Sequence, residues 1–374
     1  MIDLFSPFNL SGLPLRNRIA MAPLTRSRSP ENIPTERNAL YYAQRATAGL
    51  IISEGAPISR EGQGYLFNPG LYTPEQSAGW RLVTKSVHAV GGAIFAQLWH
   101  VGRVSHTSVR SDSTSPVGPS AKAAIGALVF AYNDKGEAGM VQASQPRALE
   151  TAEIQRVVED FASAAARAVE AGFDGVEVHG ANSYLLEQFL NPVVNDRSDQ
   201  YGGSLENRLR FPLEVVDAVI ARIGKHRTAI RVSPYSQIFD MPLFDGLEQT
   251  YTAFVRALGQ RGVAYVHIMD HTEVSAGEGE PSPLASRIDP LLLQFRSDLP
   301  ASALIVAGNM SPVRAKALVA SGTVDLIAFG RPFIANPDLV ERLRHDWPLA
   351  TPQPETFYGG GAEGYIDYPP HRVR

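Results

Sequence analysis

Three side chains that could act together on one small molecule lie close together in the chain: His179, Asn182 and Tyr184. The histidine and the asparagine can donate hydrogen bonds to an oxygen atom, and the tyrosine carries a phenol proton. They follow an apolar run at 175–178 that predicts a β-strand, so all three side chains can point into one pocket. Which reaction they serve depends on the groups beside them.

Repeated strand–helix units would position these residues. Short apolar runs alternate with segments of helical periodicity, which is typical of a parallel sheet built from βα units. The repeat predicts an α/β fold, a single (β/α)8 TIM barrel that forms one domain over residues 1–374. The eight predicted strands are residues 18–23, 49–54, 93–98, 175–179, 228–233, 264–269, 304–308 and 325–330.

Three segments depart from the plain repeat. Residues 1–17 precede the first strand, and we expect them to form a hairpin at the bottom of the barrel. Residues 104–148 separate the third strand from a helix that Thr151 is expected to cap, and their length predicts a lid insertion with short strands near 128–130 and 140–141. Residues 273–287 are a second candidate lid.

The composition excludes several classes of protein. The chain has 374 residues, of which 44% are hydrophobic and 19% charged, and its net charge is −4, so neither a nucleic acid nor an anionic membrane is an expected partner. It contains no cysteine, which excludes disulfides and Cys-ligated metal or iron–sulfur sites. The start of the chain resembles no secretory signal, and no apolar run reaches the ~20 residues that span a bilayer. We expect a cytoplasmic protein without a bound metal.

The ends of other predicted strands carry a second group of functional candidates. Gln97 on the third strand and Arg231 on the fifth suit a flat ring with alternating donors and acceptors, and the arginine can stabilise negative charge on that ring. Loops after the seventh and eighth strands of barrels commonly bind phosphate. The residues at those two loops are Gly308, Asn309, Gly330 and Arg331. A phosphate beside a polar ring predicts bound flavin mononucleotide (FMN). The chain has no Gly-x-Gly-x-x-Gly fingerprint after a strand, so NAD(P)H is expected as a visiting co-substrate.

Longer stretches of the chain resemble the old yellow enzyme family of FMN-dependent ene-reductases, and the resemblance extends over essentially the whole sequence. The matching stretches are residues 21–26, 97–103, 179–189, 199–208, 329–339 and 356–365. The resemblance implies an oxidoreductase that uses NAD(P)H to reduce the activated C=C bond of α,β-unsaturated carbonyls, maleimides or nitroalkenes. Nitro compounds and nitrate esters are further candidate substrates.

The same resemblance implies a role for individual residues. His179 and Asn182 would hold the substrate oxygen, and Tyr184 would protonate the α-carbon. Gly55 occupies a position where many relatives carry alanine against the flavin. The implied cofactor-binding residues are Pro23, Leu24, Thr25, Gly55, Gln97, Arg231, Gly308, Asn309, Gly330 and Arg331. The implied substrate-binding residues are Tyr65, Trp99, His179, Asn182 and Tyr358.

Other functions remain open at this point. A non-catalytic FMN-binding barrel, used for storage, sensing or as a scaffold, would share the fold. A dienoyl-CoA reductase of related fold would need an iron–sulfur cluster, which a chain without cysteine cannot ligate. A metal-dependent barrel hydrolase would need paired histidines on the first strand, where the sequence has none. The sequence leaves the choice of monomer or homodimer, and of NADH or NADPH, undecided.

Overall fold

The computed structural model of the protein describes residues 2–110, 112–272, 284–308 and 310–371. In chain order, its strands are β1 (Phe8–Leu10), β2 (Leu13–Leu15), β3 (Ile19–Met21), β4 (Leu50–Pro57), β5 (Ile94–Trp99), β6 (Val117–Gly118), β7 (Leu128–Tyr132), β8 (Ala138–Gln142), β9 (Arg147–Ala148), β10 (Gly175–Gly180), β11 (Thr228–Val232), β12 (Tyr265–Met269), β13 (Ala303–Ala307) and β14 (Leu326–Phe329).

A closed barrel of eight parallel strands forms the centre of the molecule. Its strand order is β3, β4, β5, β10, β11, β12, β13 and β14, and β14 pairs with β3 to close it. Each of these strands overlaps one of the eight predicted apolar runs. The predicted (β/α)8 barrel is therefore confirmed.

Helices surround the barrel, because an apolar stripe on each of the longer ones packs against the outward-facing residues of the strands. The helices are α1 (Glu36–Gln44), α2 (Pro74–Ala89), α3 (Thr151–Glu170), α4 (Leu185–Leu190), α5 (Leu205–Ile223), α6 (Leu247–Arg261), α7 (Ala285–Asp298), α8 (Pro312–Ala320), α9 (Arg331–Ala335) and α10 (Leu339–Arg344). Among the described residues, none of the helices has the length and apolar character needed to cross a membrane.

Helix α3 begins where the sequence predicts, but its cap is different. Glu150 is the N-cap residue, and its backbone N–H donates to the Glu153 carboxylate at 2.8 Å. Thr151 is instead the first helical residue, and its hydroxyl donates to Asp199 at 2.8 Å. The prediction of Thr151 as the cap was wrong, because the neighbouring glutamate pair forms a reciprocal capping box.

The predicted hairpin closes the amino-terminal end of the barrel. Strands β1 and β2 are antiparallel. Leu10 and Leu15 of the hairpin pack in one buried cluster with interior residues such as Ile52, Phe95 and Ile305. This end of the barrel is therefore filled by apolar side chains, which leaves the carboxyl-terminal ends of the strands for polar residues.

The segment between β5 and α3 forms its own small structure over the carboxyl-terminal end of the barrel. Strands β7 and β8 make an antiparallel hairpin with Phe130 opposite Met140, at the positions where the sequence predicts short strands. Leu66 N–H donates to the Phe130 carbonyl at 2.9 Å, so this hairpin is attached to the loop after β4. Residues 273–283 of the second candidate lid lie outside the described residues.

Candidate active site

A cavity of about 640 Å³ opens at the carboxyl-terminal ends of consecutive barrel strands. Arg231 of β11, Met269 of β12 and Ala307 of β13 contribute to its wall, as do residues of β14 and the segment after β3. The residues predicted to bind the cofactor or substrate that line it are Pro23, Leu24, Asn182, Arg231, Gly308, Gly330 and Arg331. The structure thus brings the two predicted phosphate loops and the predicted ring-binding arginine to one cavity.

One end of this cavity is built mainly from backbone. Gly308 has a φ of 115°, and a Cβ added there would lie 2.1 Å from the carbonyl oxygen of Asp270, so only glycine fits. Gly330 immediately precedes α9. Arg331 is exposed and forms no ion pair with any other described residue, so its guanidinium is free to bind a phosphate. Asn309, which the sequence also predicts here, lies outside the described residues.

Gln97 lies deeper, opposite Glu177 in the register of β5 and β10. Its side-chain nitrogen donates to a Glu177 oxygen at 2.8 Å. Because the nitrogen is engaged with the carboxylate, the amide oxygen remains to accept a hydrogen bond, and no described residue supplies one. A ring N–H of a bound ligand would donate the hydrogen bond that the Gln97 side-chain oxygen can accept.

Glu177 is the anion of a fully buried charged cluster. Its second oxygen lies 2.8 Å from Nδ1 of His267, which is in register with Arg231 on the neighbouring strand. Burial raises the pKa of the Glu177 carboxyl, but His267, Arg231 and Gln97 together outweigh burial and hold this pKa below its usual value. The carboxylate therefore stays ionised and orients the Gln97 amide.

Arg231 lacks a full set of partners within the protein. Its side chain is 5% exposed, one terminal nitrogen donates to the Met269 sulfur at 3.2 Å, and its Nε has no hydrogen-bond partner among the described residues. A buried guanidinium with an unused donor is costly unless a ligand completes it. With the free Gln97 oxygen and the glycine-lined end of the cavity, this donor set fits the polar ring and phosphate of FMN.

Three of the described residues predicted to bind the cofactor do not line the cavity as defined above: Gln97, Thr25 and Gly55. Thr25 is partly buried just beyond Pro23 and Leu24, and no described residue bonds to its hydroxyl. Gly55 pairs with Gln97 in the β4–β5 register, but a Cβ there would lie 2.4 Å from the Trp99 indole. The space beside Gly55 is therefore filled by tryptophan.

An aromatic cluster lies beside the cavity. The Trp99 ring is 4.9 Å from Tyr184 in an edge-on arrangement, and it stacks with Tyr65 at 5.5 Å and His179 at 6.0 Å between ring centres. All four side chains are buried. Residues that the sequence separates widely, on β5, on β10 and after β4, thus converge on one place.

His179 has a defined pattern of hydrogen-bonding groups. Its Nδ1 accepts from the backbone N–H of Ala181 at 3.3 Å, so the other ring nitrogen, Nε2, carries the proton and can donate. Burial and the nearby Arg231 lower the pKa of His179 well below its ordinary value, which keeps the ring neutral. A neutral imidazole with one free donor suits an oxygen that gains negative charge.

Asn182 presents the second donor. It has a left-handed backbone with a φ of 56°, which asparagine tolerates better than most residues. Its side-chain oxygen lies 2.9 Å from Nε2 of His271, and its side-chain nitrogen forms no hydrogen bond with any described residue. The amide nitrogen is therefore free to donate into the cavity that Asn182 lines.

Tyr184 keeps its proton. Its hydroxyl lies 3.2 Å from that of Tyr65, and burial raises the pKa of Tyr184 well above its ordinary value. Tyr358, also predicted at the substrate site, is 47% exposed and is close enough to affect the pKa of both tyrosines. The next residue, Gly359, donates its N–H to the Arg26 carbonyl at 3.0 Å, which attaches this segment to the loop after β3.

Three residues at the site carry no role in the sequence analysis: Glu177, His271 and Phe239. The ring of Phe239 lies 5.8 Å from that of Tyr184. His271 is the second residue after β12, so a search of polar residues just beyond every strand end would have found it. Phe239 lies in the irregular loop after β11, and no sequence signal marks it.

Comparison with known proteins agrees with this geometry. The profile of the NADH:flavin oxidoreductase / NADH oxidase family matches residues 3–350. The chain is 42% identical over 372 residues to 12-oxophytodienoate reductase 1 of Oryza sativa subsp. japonica, covering 98% of this chain and 93% of that protein.

Solved structures are similar over the full length. The chain is 48% identical to morphinone reductase, with a TM-score of 0.93 and coverage of 98% of this chain and 96% of the other. It is 39% identical to the old yellow enzyme homologue from Zymomonas mobilis, with a TM-score of 0.90 and coverage of 98% and 99%. The chain therefore belongs to the NADH:flavin oxidoreductase / NADH oxidase family, that of old yellow enzyme, and is an FMN-dependent flavin oxidoreductase that uses NAD(P)H.

Proposed function

We propose that the protein reduces the activated C=C bond of α,β-unsaturated carbonyls, maleimides or nitroalkenes, with NADH or NADPH as the reductant. The observation that carries this proposal is that His179 and Asn182, three residues apart, each present a neutral hydrogen-bond donor, and that the His179 ring lies 5.1 Å from the ring of the buried phenol Tyr184. Two similar proteins are named as reductases of 12-oxophytodienoate and of morphinone, both oxo compounds by name, and this agrees with the proposal.

The chain's own residues supply position and proton transfer. His179 and Asn182 donate to the carbonyl or nitro oxygen and stabilise the negative charge that develops on it. FMN, when bound, would supply the hydride chemistry at the β-carbon, with NAD(P)H as the source of the reducing equivalents. Tyr184 gives its proton to the α-carbon, and the Tyr65 hydroxyl, 3.2 Å away, can donate to the phenolate oxygen that remains.

We further assign the cofactor residues from the donor set. Gln97 and Arg231 would bind the polar edge of the flavin ring, with Pro23, Leu24 and Thr25 along the same side, whereas Gly55 would make room for the Trp99 indole. Gly308, Asn309, Gly330 and Arg331 would hold the phosphate. The β7–β8 hairpin, attached to the loop that carries Tyr65, would act as a lid that limits the size of the substrate.

An anaerobic absorbance titration tests the function. The purified holoenzyme is reduced with NADPH, which bleaches the flavin band, and cyclohexenone is then added. Return of the band with formation of cyclohexanone supports the proposal. Bleaching by NADPH or NADH without any recovery on adding enones, maleimides or nitroalkenes would refute it, and failure of both NADPH and NADH to bleach the band would favour a non-catalytic FMN-binding barrel.

The Tyr184→Phe variant tests the proton donor. We expect its rate of enone reduction to fall by about 100-fold or more, the usual contribution of a general acid. FMN content and reduction by NADPH should stay close to wild type, because the phenol has no part in either step. An unchanged rate of enone reduction would remove Tyr184 from this role.

A further inference from the structure

We propose that His271 is a positioning residue that holds the Asn182 amide with its nitrogen towards the substrate. The inference rests on the proposed function, because it assigns a purpose to the Asn182 donor. His271 itself would not touch the substrate. It would act by removing the alternative orientation of the amide, in which the oxygen faces the substrate.

The contact between the two side chains defines which group donates. Nε2 of His271 lies 2.9 Å from the Asn182 side-chain oxygen, and the histidine is only 6% exposed. An amide oxygen can only accept, so Nε2 must carry the proton. Nδ1 of His271 has no hydrogen-bond partner among the described residues, which agrees with its being the unprotonated nitrogen. Burial, aided by the nearby Arg231, lowers the pKa of His271 to about 4, so the ring is neutral at physiological pH.

The backbone of this loop is fixed by other residues. The Asn182 N–H donates to the Ser233 hydroxyl at 2.7 Å, and that hydroxyl donates to Glu187 at 2.9 Å. Ser183 donates its N–H to the same carboxylate, and its hydroxyl donates to the Ile238 carbonyl at 2.7 Å. These bonds place the α-carbon of Asn182, but they do not choose between the two orientations of its terminal amide.

That choice decides whether the site binds an oxygen or repels it. The terminal torsion of asparagine is broad and roughly two-fold, so both orientations are accessible without a partner. In one orientation, the amide N–H groups complement the His179 donor. In the other, the amide oxygen faces the substrate oxygen. Apart from the proposed substrate, His271 is the only bonding partner of this side chain among the described residues, so it is the group that fixes the amide.

His271 lies on a loop at the same end of the barrel as Asn182. It is the second residue after β12, which ends at Met269, a residue that lines the cofactor cavity. The contact joins residues 89 positions apart in the chain. It therefore connects the loop after β12 to the loop after β10 across the opening of the barrel.

A double-mutant cycle tests the inference. Variants His271→Phe, which removes the donor, and His271→Gln, which can supply an amide N–H, are made alone and together with Asn182→Ala. Binding of the saturated ketone cyclohexanone to the oxidised holoenzyme is followed through the flavin absorbance spectrum. The rate of cyclohexenone reduction by dithionite-reduced enzyme is measured in parallel.

We expect His271→Phe to weaken cyclohexanone binding by about 10-fold, the factor that corresponds to one ordinary hydrogen bond. His271→Gln should recover most of this loss, because the glutamine can donate an N–H to the Asn182 oxygen. If His271 only filled space, restoring a donor would bring no such recovery. In the Asn182→Ala background, neither change should have a further effect. FMN content and the rate of reoxidation by dioxygen should stay unchanged, since neither needs the Asn182 amide.

Equal losses with and without Asn182 would overturn the inference, as would unaltered ketone binding in His271→Phe. If His271→Phe fails to fold, His271→Leu replaces it, with the same expectations. The ketone titration requires no turnover, so it separates this inference from the proposed function. Wild-type enzyme that binds cyclohexanone but does not reduce cyclohexenone would refute the function and leave the role of His271 decided by the cycle.

Discussion

Two fully buried carboxylates, one on each side of the site, have opposite electrostatic states. Glu177 lies on the cofactor side, where His267, Arg231 and Gln97 outweigh burial and lower its pKa. Glu187 lies on the substrate side, and burial raises its pKa to about 7. Both side chains are buried to nearly the same extent. The difference between their pKa values therefore comes from the groups that contact them and not from their depth.

The partners of Glu187 are all neutral. The hydroxyls of Tyr251 and Ser233 donate to it, as does the backbone N–H of Ser183. Neutral donors lower the pKa less than a cation does, so burial prevails. The cofactor side thus contains a fixed negative charge, whereas the substrate-side carboxyl is surrounded by neutral donors and has a pKa of about 7.

The largest effect should follow from neutralising the cofactor-side carboxylate. Glu177→Gln removes the carboxylate that contacts His267 at 2.8 Å and interacts electrostatically with Arg231, and we expect the free energy of unfolding to fall by about 4 kcal/mol, because a buried cation loses its nearby negative charge. FMN should also be retained poorly, because Gln97 loses the anion that orients it. Urea unfolding and the flavin content after gel filtration measure both. A variant as stable as wild type would show that the charge of Glu177 is dispensable.

A smaller loss is expected at the backbone of the phosphate end. Gly308→Ala places a Cβ 2.1 Å from a backbone oxygen at a φ of 115°, so the chain itself must move. We expect a loss of about 3 kcal/mol and weaker FMN binding. Gly322→Ala is the matched control, because its φ is 73° but its Cβ would meet nothing within 4 Å. Equal losses in the two variants would mean that the contact with Asp270 has no part in the effect.

Glu187→Gln should differ from Glu177→Gln in its dependence on pH. The pKa of Glu187 is raised from 4.5 to about 7 on folding, so its contribution to stability is fully present below 4.5 and is lost as pH rises through 7. The deficit of Glu187→Gln relative to wild type should therefore shrink by about 2 kcal/mol between about pH 5 and about pH 8. Because the pKa of Glu177 is lowered, its contribution is present above its unfolded value, and the deficit of Glu177→Gln should stay constant over that range.

Urea unfolding of both variants and of wild type at the two pH values checks this contrast. The differences between variant and wild type cancel the titration of other buried groups, such as Glu54, whose pKa burial also raises to about 7. Parallel pH dependence in the two variants would contradict the assignment of opposite states to the two carboxylates.

The sequence predicts the barrel and most of the site because both have local signals. Apolar runs mark the strands, and Gly308, Gly330 and Arg331 follow them directly at strand ends. The contacts of Glu177 and His271 could not be predicted in this way. Each bonds to a residue on another strand or loop, and which partner it meets depends on the barrel's register and not on neighbours in the chain.

Gly55 also shows the difference between what the sequence predicts and what depends on packing between strands. The resemblance to the old yellow enzyme family predicts that Gly55 lies against the flavin. In the structure, the Trp99 indole fills the space beside it. The glycine therefore makes room for an aromatic ring of the substrate side, which only the packing of β4 against β5 reveals.

Gly55→Ala should give the smallest effect, because it meets a side chain that can move and not a backbone atom. Its Cβ would lie 2.4 Å from the Trp99 ring, so the indole must shift, with an expected cost of about 1 kcal/mol. The shift should change the tryptophan fluorescence and the KM for cyclohexenone, while FMN content stays near wild type. Gly139→Ala in β8 is the control, since its Cβ would meet nothing within 4 Å. Loss of FMN in Gly55→Ala with an unchanged KM would assign Gly55 to the cofactor side and break the division between the two halves of the site.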